Sequence, residues 1–439
     1  MNNRSELNRR YGKYVLQNVF GSLGISCYVI ADTFFISKYS GANGITVLNL
    51  ALPLYGLIYA IGALVGVGSA TRYGIDKARG EAGVNRYFSN ALLWELLFSV
   101  PFILAGAFLP GQVIALMKGD EEIVALGIPY FRVFLCFAPL FMMQHTFTGF
   151  IRNDRGTVVA MIATMSGSLF NILFDYVFMF VFDWGLMGAA LATGASPVIG
   201  ILVCQFHLLS RKSTIRFFPL HFSARDLGHS VGLGISAFVG EFANAVTTAV
   251  FNFIIIDLTG NVGVAAYGVI ANYAVVMTAL FSGISNGCQP LLSEYYGGGF
   301  HREERSVLKR GVFTALGLAA VITAAAWLFT DPLVSLFNSE GNEILAGYAR
   351  TGLRIYVPGY LFAGVNVVLV GYFAATEKVK SAMTTSLLRG VVAIVAFAFL
   401  LSALFGMMGV WSAFAAAEGT TCLVAWILYF RVRKKGFSN

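Results

Sequence analysis

The sequence predicts an all-α polytopic membrane protein with twelve transmembrane helices, arranged as two six-helix bundles around a central cavity. Three observations support this prediction: the composition, the alternating charge of the loops, and an internal repeat. Of the 439 residues, 57% are hydrophobic and 12% are charged, whereas soluble domains carry about 25% charged residues. Such a chain cannot cover its surface with polar groups, so a lipid bilayer is its expected solvent.

Apolar runs of about 20 residues, long enough to cross about 30 Å of hydrocarbon, recur along the whole chain. They are continuous rather than alternating, which favours helices over a transmembrane barrel. Residues 1–209 form the predicted N-terminal lobe, 210–230 a cytoplasmic connecting loop, and 231–439 the C-terminal lobe. The twelve predicted spans lie near 14–37, 45–70, 88–109, 128–151, 157–182, 185–209, 231–257, 262–292, 311–329, 353–375, 381–404 and 406–430.

The loops alternate between basic and acidic along the chain. "DKARGEAGVNR" (76–86) and "HREERSVLKR" (301–310) are basic, whereas "KGDEE" (118–122) and "SEGNE" (339–343) are acidic. The positive-inside rule predicts that the basic side, with both termini, faces the cytoplasm of a multi-pass protein in the plasma (inner) membrane. The same bias explains the net charge of +8, so no nucleic-acid partner is expected.

The two halves of the chain resemble each other at an offset of 219 to 222 residues. This offset aligns matched residues: Gly41 with Gly260, Pro110 with Pro332, Arg132 with Arg354, and Gly185 with Gly406. An even number of spans per copy makes the copies parallel repeats about an axis along the membrane normal, an arrangement that transporters use. The repeat therefore predicts two bundles that rock about a site between them.

Two embedded acids break the repeat. Asp32 aligns with Phe251, and Asp175 aligns with Ala396. Asn171 lies one turn before Asp175, on the same helical face. An ionised Asp at mid-membrane costs about 2.5–3.5 kcal/mol or more, so these residues are predicted to carry protons or bind a cation.

Other embedded polar residues are open to two interpretations. Glu95 and Glu418 either face a substrate or bond within their bundles, and His145 fits a structural role best. The five cysteines show no CxxC spacing, and no Walker-type phosphate loop is present, so neither a metal cluster nor ATP drive is expected. We expect no enzymatic activity and no cofactor.

Three motifs carry a family resemblance. They are "YVIADTFFISKYSG" (28–41), "NILFDYVF" (171–178) and "GLMGAALAT" (185–193). With them, the chain resembles prokaryotic multidrug and toxic compound extrusion (MATE) transporters over essentially its full length. The resemblance implies an antiporter that exports amphipathic, often cationic drugs against inward flow of protons or sodium. It also implies a proton or Na⁺ site at Asp32, Asn171, Asp175 and Thr193, with Tyr28 one turn before Asp32.

In the other lobe the match is incomplete. Glu241 matches a seventh-span acid that some members use, but the tenth span offers only Asn366 where those members add an acid. Family members often carry a proline about four turns before the first aspartate, where this chain has Gln17, and Ser236 stands at the repeat-equivalent position. A mechanism that bends the first span at proline is therefore not predicted.

Alternative membrane proteins fit the sequence less well. A flippase for lipid-linked saccharide or lipid on a related fold needs a cationic cavity, whereas the embedded charges here are mainly acidic. A passive channel or a receptor does not need duplicated halves with asymmetric acids. A major-facilitator transporter needs a loop motif whose spacing "GIDKARGEAG" (74–83) does not match. We expect a monomeric protein that lies in the lipid bilayer and transports small amphipathic drugs.

Overall fold

The computed structural model describes residues 2–117, 121–216, 222–337 and 342–435, and within these ranges it contains helices and no strands. The predicted acidic loops 118–122 and 339–343, the connecting loop and the C-terminal tail fall partly outside them. Short π-helical or 3-10 segments follow α6 (Val177–Val181), α11 (Val357–Gly359) and α13 (Leu388–Val392). The α-helices are α1 Asn2–Ala78, α2 Arg86–Phe108, α3 Pro110–Leu116, α4 Glu121–Cys136, α5 Ala138–Asn153, α6 Thr157–Tyr176, α7 Gly185–Leu208, α8 Ala224–Gly297, α9 His301–Leu328, α10 Thr330–Phe337, α11 Glu343–Tyr356, α12 Tyr360–Ala375, α13 Val379–Leu387 and α14 Ala393–Lys435.

Ten helical stretches of the described chain are long and apolar enough to cross a membrane, and α4 with α5 forms a bent eleventh. One of the ten, Val379–Lys434, has 56 residues and contains a non-helical break at Gly406. Since a single crossing needs only about 20 residues, twelve spans remain compatible with the structure. Helix α8 begins at Ala224, inside the predicted connecting loop, because Ser223 caps its first turn by accepting from the backbone N of Asp226.

The backbone confirms the internal repeat. The long helices α1 and α8 each change direction at a glycine with positive φ, Gly41 (58°) and Gly260 (65°). We call the part of each helix before this glycine its first arm and the part after it its second arm. Gly185 (53°) and Gly406 (56°) form a second such pair. Left-handed φ values favour glycine, so the aligned glycines mark the same turns in the two copies.

Glycines also allow the two halves to touch backbone to backbone. A Cβ on Gly68 of α1 would lie 2.3 Å from the carbonyl oxygen of Ser230, and one on Gly287 of α8 would lie 2.6 Å from Cα of Val15. Gly68 and Gly287 are repeat-equivalent at the offset of 219, so each half offers its second arm to the first arm of the other. The contact lies at the end of the molecule opposite the breaks at Gly41 and Gly260.

Two ion-pair clusters join the halves at that same end, and each places one glutamate between two arginines. The Glu294 cluster comprises Glu294 with Arg10 (2.5 Å) and Arg155 (2.8 Å); the Glu377 cluster comprises Glu377 with Arg72 (2.5 Å) and Arg79. The loop residues of the two clusters, Arg155 and Glu377, are repeat-equivalent and share a positive φ (64° and 57°). This end of the molecule is therefore held together by packing and by charge.

Candidate functional site

Two buried aspartates lie within electrostatic reach of each other in the first half, on different helices. Asp32 belongs to the first arm of α1, and Asp175 stands near the end of α6, just before the π-helical segment. Both side chains are buried, and the charge of Asp32 acts on Asp175. We call these two residues the acid pair. In the described part of the chain, neither forms an ion pair with a basic side chain.

The acid pair has unused hydrogen-bonding capacity. Oδ1 of Asp32 and Oδ1 of Asp175 are both buried and have no hydrogen-bond partner among the described residues. Leaving a buried polar group unsatisfied costs about 1–3 kcal/mol, and more for a charged group. Two like charges also repel each other strongly where the dielectric is low. A proton or a small cation between the two carboxylates would relieve both costs, so this geometry suits reversible cation binding.

Asn171 connects the acid pair to α7. Its amide satisfies its neighbours when Nδ2 donates to Oδ2 of Asp175 at 3.3 Å. In that orientation Oδ1 accepts from Oγ1 of Thr193 at 3.1 Å and from the backbone N of Thr193 at 3.3 Å. Helices α6 and α7 approach closely because Gly167 carries no side chain at the contact with Ser196. The structure thus brings Asn171, Asp175 and Thr193 together, with Asp32 beside them.

Tyr28 also lies at the site, in a hydroxyl cluster with two residues that sequence reasoning missed. The hydroxyls of Tyr28 and Tyr55 are 3.0 Å apart, and Tyr55 donates to Tyr59 at 2.9 Å. The charges of Asp32 and Asp175 both reach Tyr28. The run "LYGLIYA" (54–60) held a usable signal, because its two tyrosines lie one helical turn apart and so share a face.

The second half contains a different arrangement, in which an acid is neutralised internally. Arg389 pairs with Glu418 through Nη2 and Oε1 at 2.8 Å. Asn366 donates to Oε2 of Glu418 at 2.6 Å and to its backbone oxygen at 2.9 Å. Arg389, which stands in the π-helical segment after α13, was also missed, although an arginine inside the apolar run "LLRGVV" (387–392) was visible in the sequence. Asn366 therefore supports an ion pair here.

The remaining embedded polar residues separate into two groups. Glu95 is fully buried, and its Oε1 accepts from Oγ1 of Thr146 at 2.7 Å, so it bonds within its bundle, but its Oε2 has no partner among the described residues. His145 packs its ring edge-on against Tyr59, at 5.2 Å between centroids. Glu241 on α8 is exposed, and its charge acts on Tyr59 in the opposite half. Of these residues, Glu241 is the one with an exposed side chain.

Gln17, at the position where family members often carry proline, has a bonding role of its own. Its side-chain oxygen accepts from Oγ1 of Thr157 at 2.6 Å, which ties the first arm of α1 to the start of α6. Ser236, its counterpart in α8, is buried. Both arms continue as helix through these positions, in agreement with the prediction that no proline bends them.

The chain matches known proteins over almost its whole length. The MatE family model matches residues 19–177 and 237–400. Among curated proteins, the multidrug export protein MepA of Staphylococcus saprophyticus is 24% identical over 421 residues, covering 95% of this chain and 92% of that protein. MepA of Staphylococcus aureus strain MRSA252 is 23% identical over 425 residues, covering 96% and 93%.

Solved structures share the fold. A multidrug resistance MATE family transporter in an outward-facing conformation superposes with a TM-score of 0.91 at 20% identity, covering 98% of this chain and 97% of that one. A MOP superfamily transporter from Pyrococcus furiosus gives 0.90 at 20% identity, covering 99% and 97%. The family match spans both halves of the chain, including the helices that carry the acid pair. The chain therefore belongs to the MatE family, as a prokaryotic multidrug and toxic compound extrusion (MATE) protein.

Proposed function

We propose that this protein is a cation-coupled multidrug antiporter in the plasma membrane, and that the acid pair Asp32 and Asp175 is its coupling site. The observation that carries the proposal is the pair of buried carboxylates with unpaired oxygens and no basic partner among the described residues. A permanent structural role would leave their burial uncompensated. A mobile positive charge compensates it and can leave again, as an exchange mechanism requires.

The second half supports this assignment by contrast. Glu418 already has Arg389 as its partner, so it needs no mobile cation to be neutral. The contrast between a compensated acid in the second half and an uncompensated pair in the first half supports coupling in the first half. Asn171 and Thr193 then position Asp175 through their hydrogen bonds.

The substrates are proposed to be small amphipathic compounds, often cationic. The relatives are named multidrug export proteins, and the family match makes the same class the natural expectation here. Glu241 is exposed toward the opposite half, where it would attract a substrate cation. We further propose a monomer whose termini and ion-pair clusters face the cytoplasm, since the clusters lie at the end that carries the basic loops.

The coupling ion is a proton or sodium. A proton needs only the free carboxylate oxygens. Sodium would also need neutral oxygen ligands, from Asn171 and Thr193, because no group of three His, Cys, Asp or Glu side chains occurs in the described ranges. A pH gradient alone and a sodium gradient alone, each applied to proteoliposomes, distinguish the two ions by which one drives drug uptake.

Asp175→Asn tests the coupling site. The substitution keeps the shape of the side chain but removes its charge, so exchange should fall to the level of liposomes without protein, while thermal unfolding stays near that of the parent. Asp183→Asn is the matched control, because Asp183 is exposed and its positive φ of 57° suits asparagine. If Asp175→Asn exchanged drug for either ion at the parent rate, Asp175 would have no coupling role.

A further inference from the structure

Three tyrosine hydroxyls form a continuous path that starts beside the acid pair. The path runs from Tyr28 in the first arm of α1 to Tyr55 and Tyr59 in the second arm, with oxygen–oxygen distances of 3.0 and 2.9 Å. Ring packing holds Tyr55 and Tyr59 in place, because the ring of Tyr55 stacks on that of Tyr59 at 4.5 Å and on that of Phe134 at 5.4 Å. The hydroxyl chain is thus part of a rigid aromatic wall.

The hydrogen bonds of the chain have a direction. Tyr55 donates its one hydroxyl hydrogen to Tyr59. Since a tyrosine hydroxyl has one hydrogen, Tyr55 must accept its other bond from Tyr28. The oxygen of Tyr28 is therefore free to accept a proton on the side of the acids, and the hydrogen of Tyr59 is free to leave at the other end.

The groups at the two ends differ in access to solvent. At the Tyr28 end are Asp32 and Asp175, both buried. At the Tyr59 end are His145, whose Nε2 is buried without a partner, and Glu241, which is exposed on α8 of the opposite half. Of these groups, only Glu241 has an exposed side chain, so it is the natural terminus of the path.

We propose that Tyr28, Tyr55 and Tyr59 relay protons between the acid pair and Glu241 across the space between the halves. The relay rests on the proposed function, with the proton as coupling ion. One proton leaves a carboxyl group of the acid pair for the Tyr28 oxygen, each hydroxyl passes on its own hydrogen, and Tyr59 delivers one to Glu241. Every tyrosine ends with one hydrogen, and rotation about its C–O bond restores the starting direction.

A relay changes the rate of proton transfer but not the proton occupancy of the acids, and this difference makes it testable. Purified protein in detergent is mixed with a cationic dye such as ethidium in a stopped-flow instrument, and a pH indicator follows proton release. For Tyr59→Phe, and for the double variant Tyr55→Phe/Tyr59→Phe, the rate should fall by about tenfold or more. The amplitude of release and the dye affinity should match those of the parent, because the rings remain. Glu241→Gln should slow release in the same way.

The matched control is Tyr360→Phe, which removes a buried tyrosine hydroxyl from the second half. Its release rate should equal that of the parent. Parent-like rates in Tyr59→Phe and the double variant would overturn the relay, and so would a loss of amplitude, which indicates that the tyrosines shape the acid site itself. Absence of dye-induced release from the parent would instead reject proton coupling, and with it the proposed function in its proton form.

Discussion

Removal of the Glu377 carboxylate should weaken the contact between the two halves at the end of the molecule where the ion-pair clusters lie. We call this contact the closure. Glu377 stands in the loop between α12 and α13 and binds Arg72 at 2.5 Å and Arg79 in the opposite half. Glu377→Gln removes both ion pairs at once, while its amide can still accept one hydrogen bond. We expect the variant to populate more of a conformation in which the halves are apart at this end.

The magnitude follows from the exposure of the three side chains. Glu377, Arg72 and Arg79 are 23%, 21% and 33% exposed. Fully exposed pairs contribute about 0.2–1 kcal/mol, and breaking a buried pair costs about 3–5 kcal/mol. Partly exposed pairs lie between, near about 1 kcal/mol each, so the loss is about 2 kcal/mol in total. Since about 1.4 kcal/mol is a factor of ten, the equilibrium should shift about 30-fold toward separation.

Distances between spin labels measure this shift. Labels at two exposed lysines, position 212 in the segment after α7 and position 380 in the first turn of α13, should show a larger long-distance population in Glu377→Gln than in the parent. Glu81→Gln is the control, because Glu81 is exposed and forms no ion pair with a described residue. An unchanged distance distribution, or a coupling energy near zero in a double-mutant cycle with Arg72→Gln, would refute the reasoning.

The pH dependence of this closure has a definite sign. Burial alone would raise the pKa of Glu377, but Arg79 and Arg72 outweigh it and hold that pKa below its usual range. The depressed value means that the stabilisation is complete above the ordinary glutamate pKa of about 4.3 and is lost as the pH falls below it. The label distances should therefore stay constant from pH 8 to about pH 5.

Two further substitutions test buried charges elsewhere. Asp154→Asn should lower the free energy of unfolding by about 3 kcal/mol, because its buried carboxylate accepts from Lys77 at 2.6 Å and from the backbone N of Thr214 at 2.9 Å. Burial alone would raise the pKa of Asp154, but its hydrogen bonds with His207, Lys77 and Thr214 outweigh burial and hold that pKa below its usual range. The loss of stability seen in thermal unfolding should therefore persist at pH 7 and shrink only below about pH 4. Arg389→Gln should cost about 3 kcal/mol by leaving Glu418 unpaired, and Arg389→Gln/Glu418→Gln should recover most of that loss. Equal instability of the single and double variants would contradict the ion-pair explanation.

Sequence patterns predicted the features that a local rule determines. Glycine tolerates positive φ, so the turns at Gly41 and Gly260 were visible as aligned glycines before the backbone was known. The cost of a charge in hydrocarbon singled out Asp32 and Asp175 in the same way. In each case a single residue differs in kind from the residues around it, so the sequence alone identifies it.

Features that depend on contacts between distant helices were not predictable. In the sequence, Tyr55 and Tyr59 look like ordinary amphipathic residues. Only the packing of the helices brings the hydroxyl oxygen of Tyr28 to 3.0 Å from that of Tyr55. Arg389 and Glu418 were each visible as embedded charges, but their pairing depends on how the eleventh and twelfth spans pack. One sequence contains no direct signal for such distances.

The duplicated fold separates two tasks by changing charge at matched positions. Arg155 and Glu377 occupy equivalent loop sites with the same left-handed backbone, yet one is basic and the other acidic, and each reaches a partner of opposite sign in the other half. In both clusters the glutamate belongs to the second half and its two arginines belong to the first half. The embedded acids are asymmetric, because Asp175 aligns with Ala396. A cation that binds the acid pair thus acts on one half alone, and it must work against an interface to which the first half contributes the arginines and the second half contributes the glutamates.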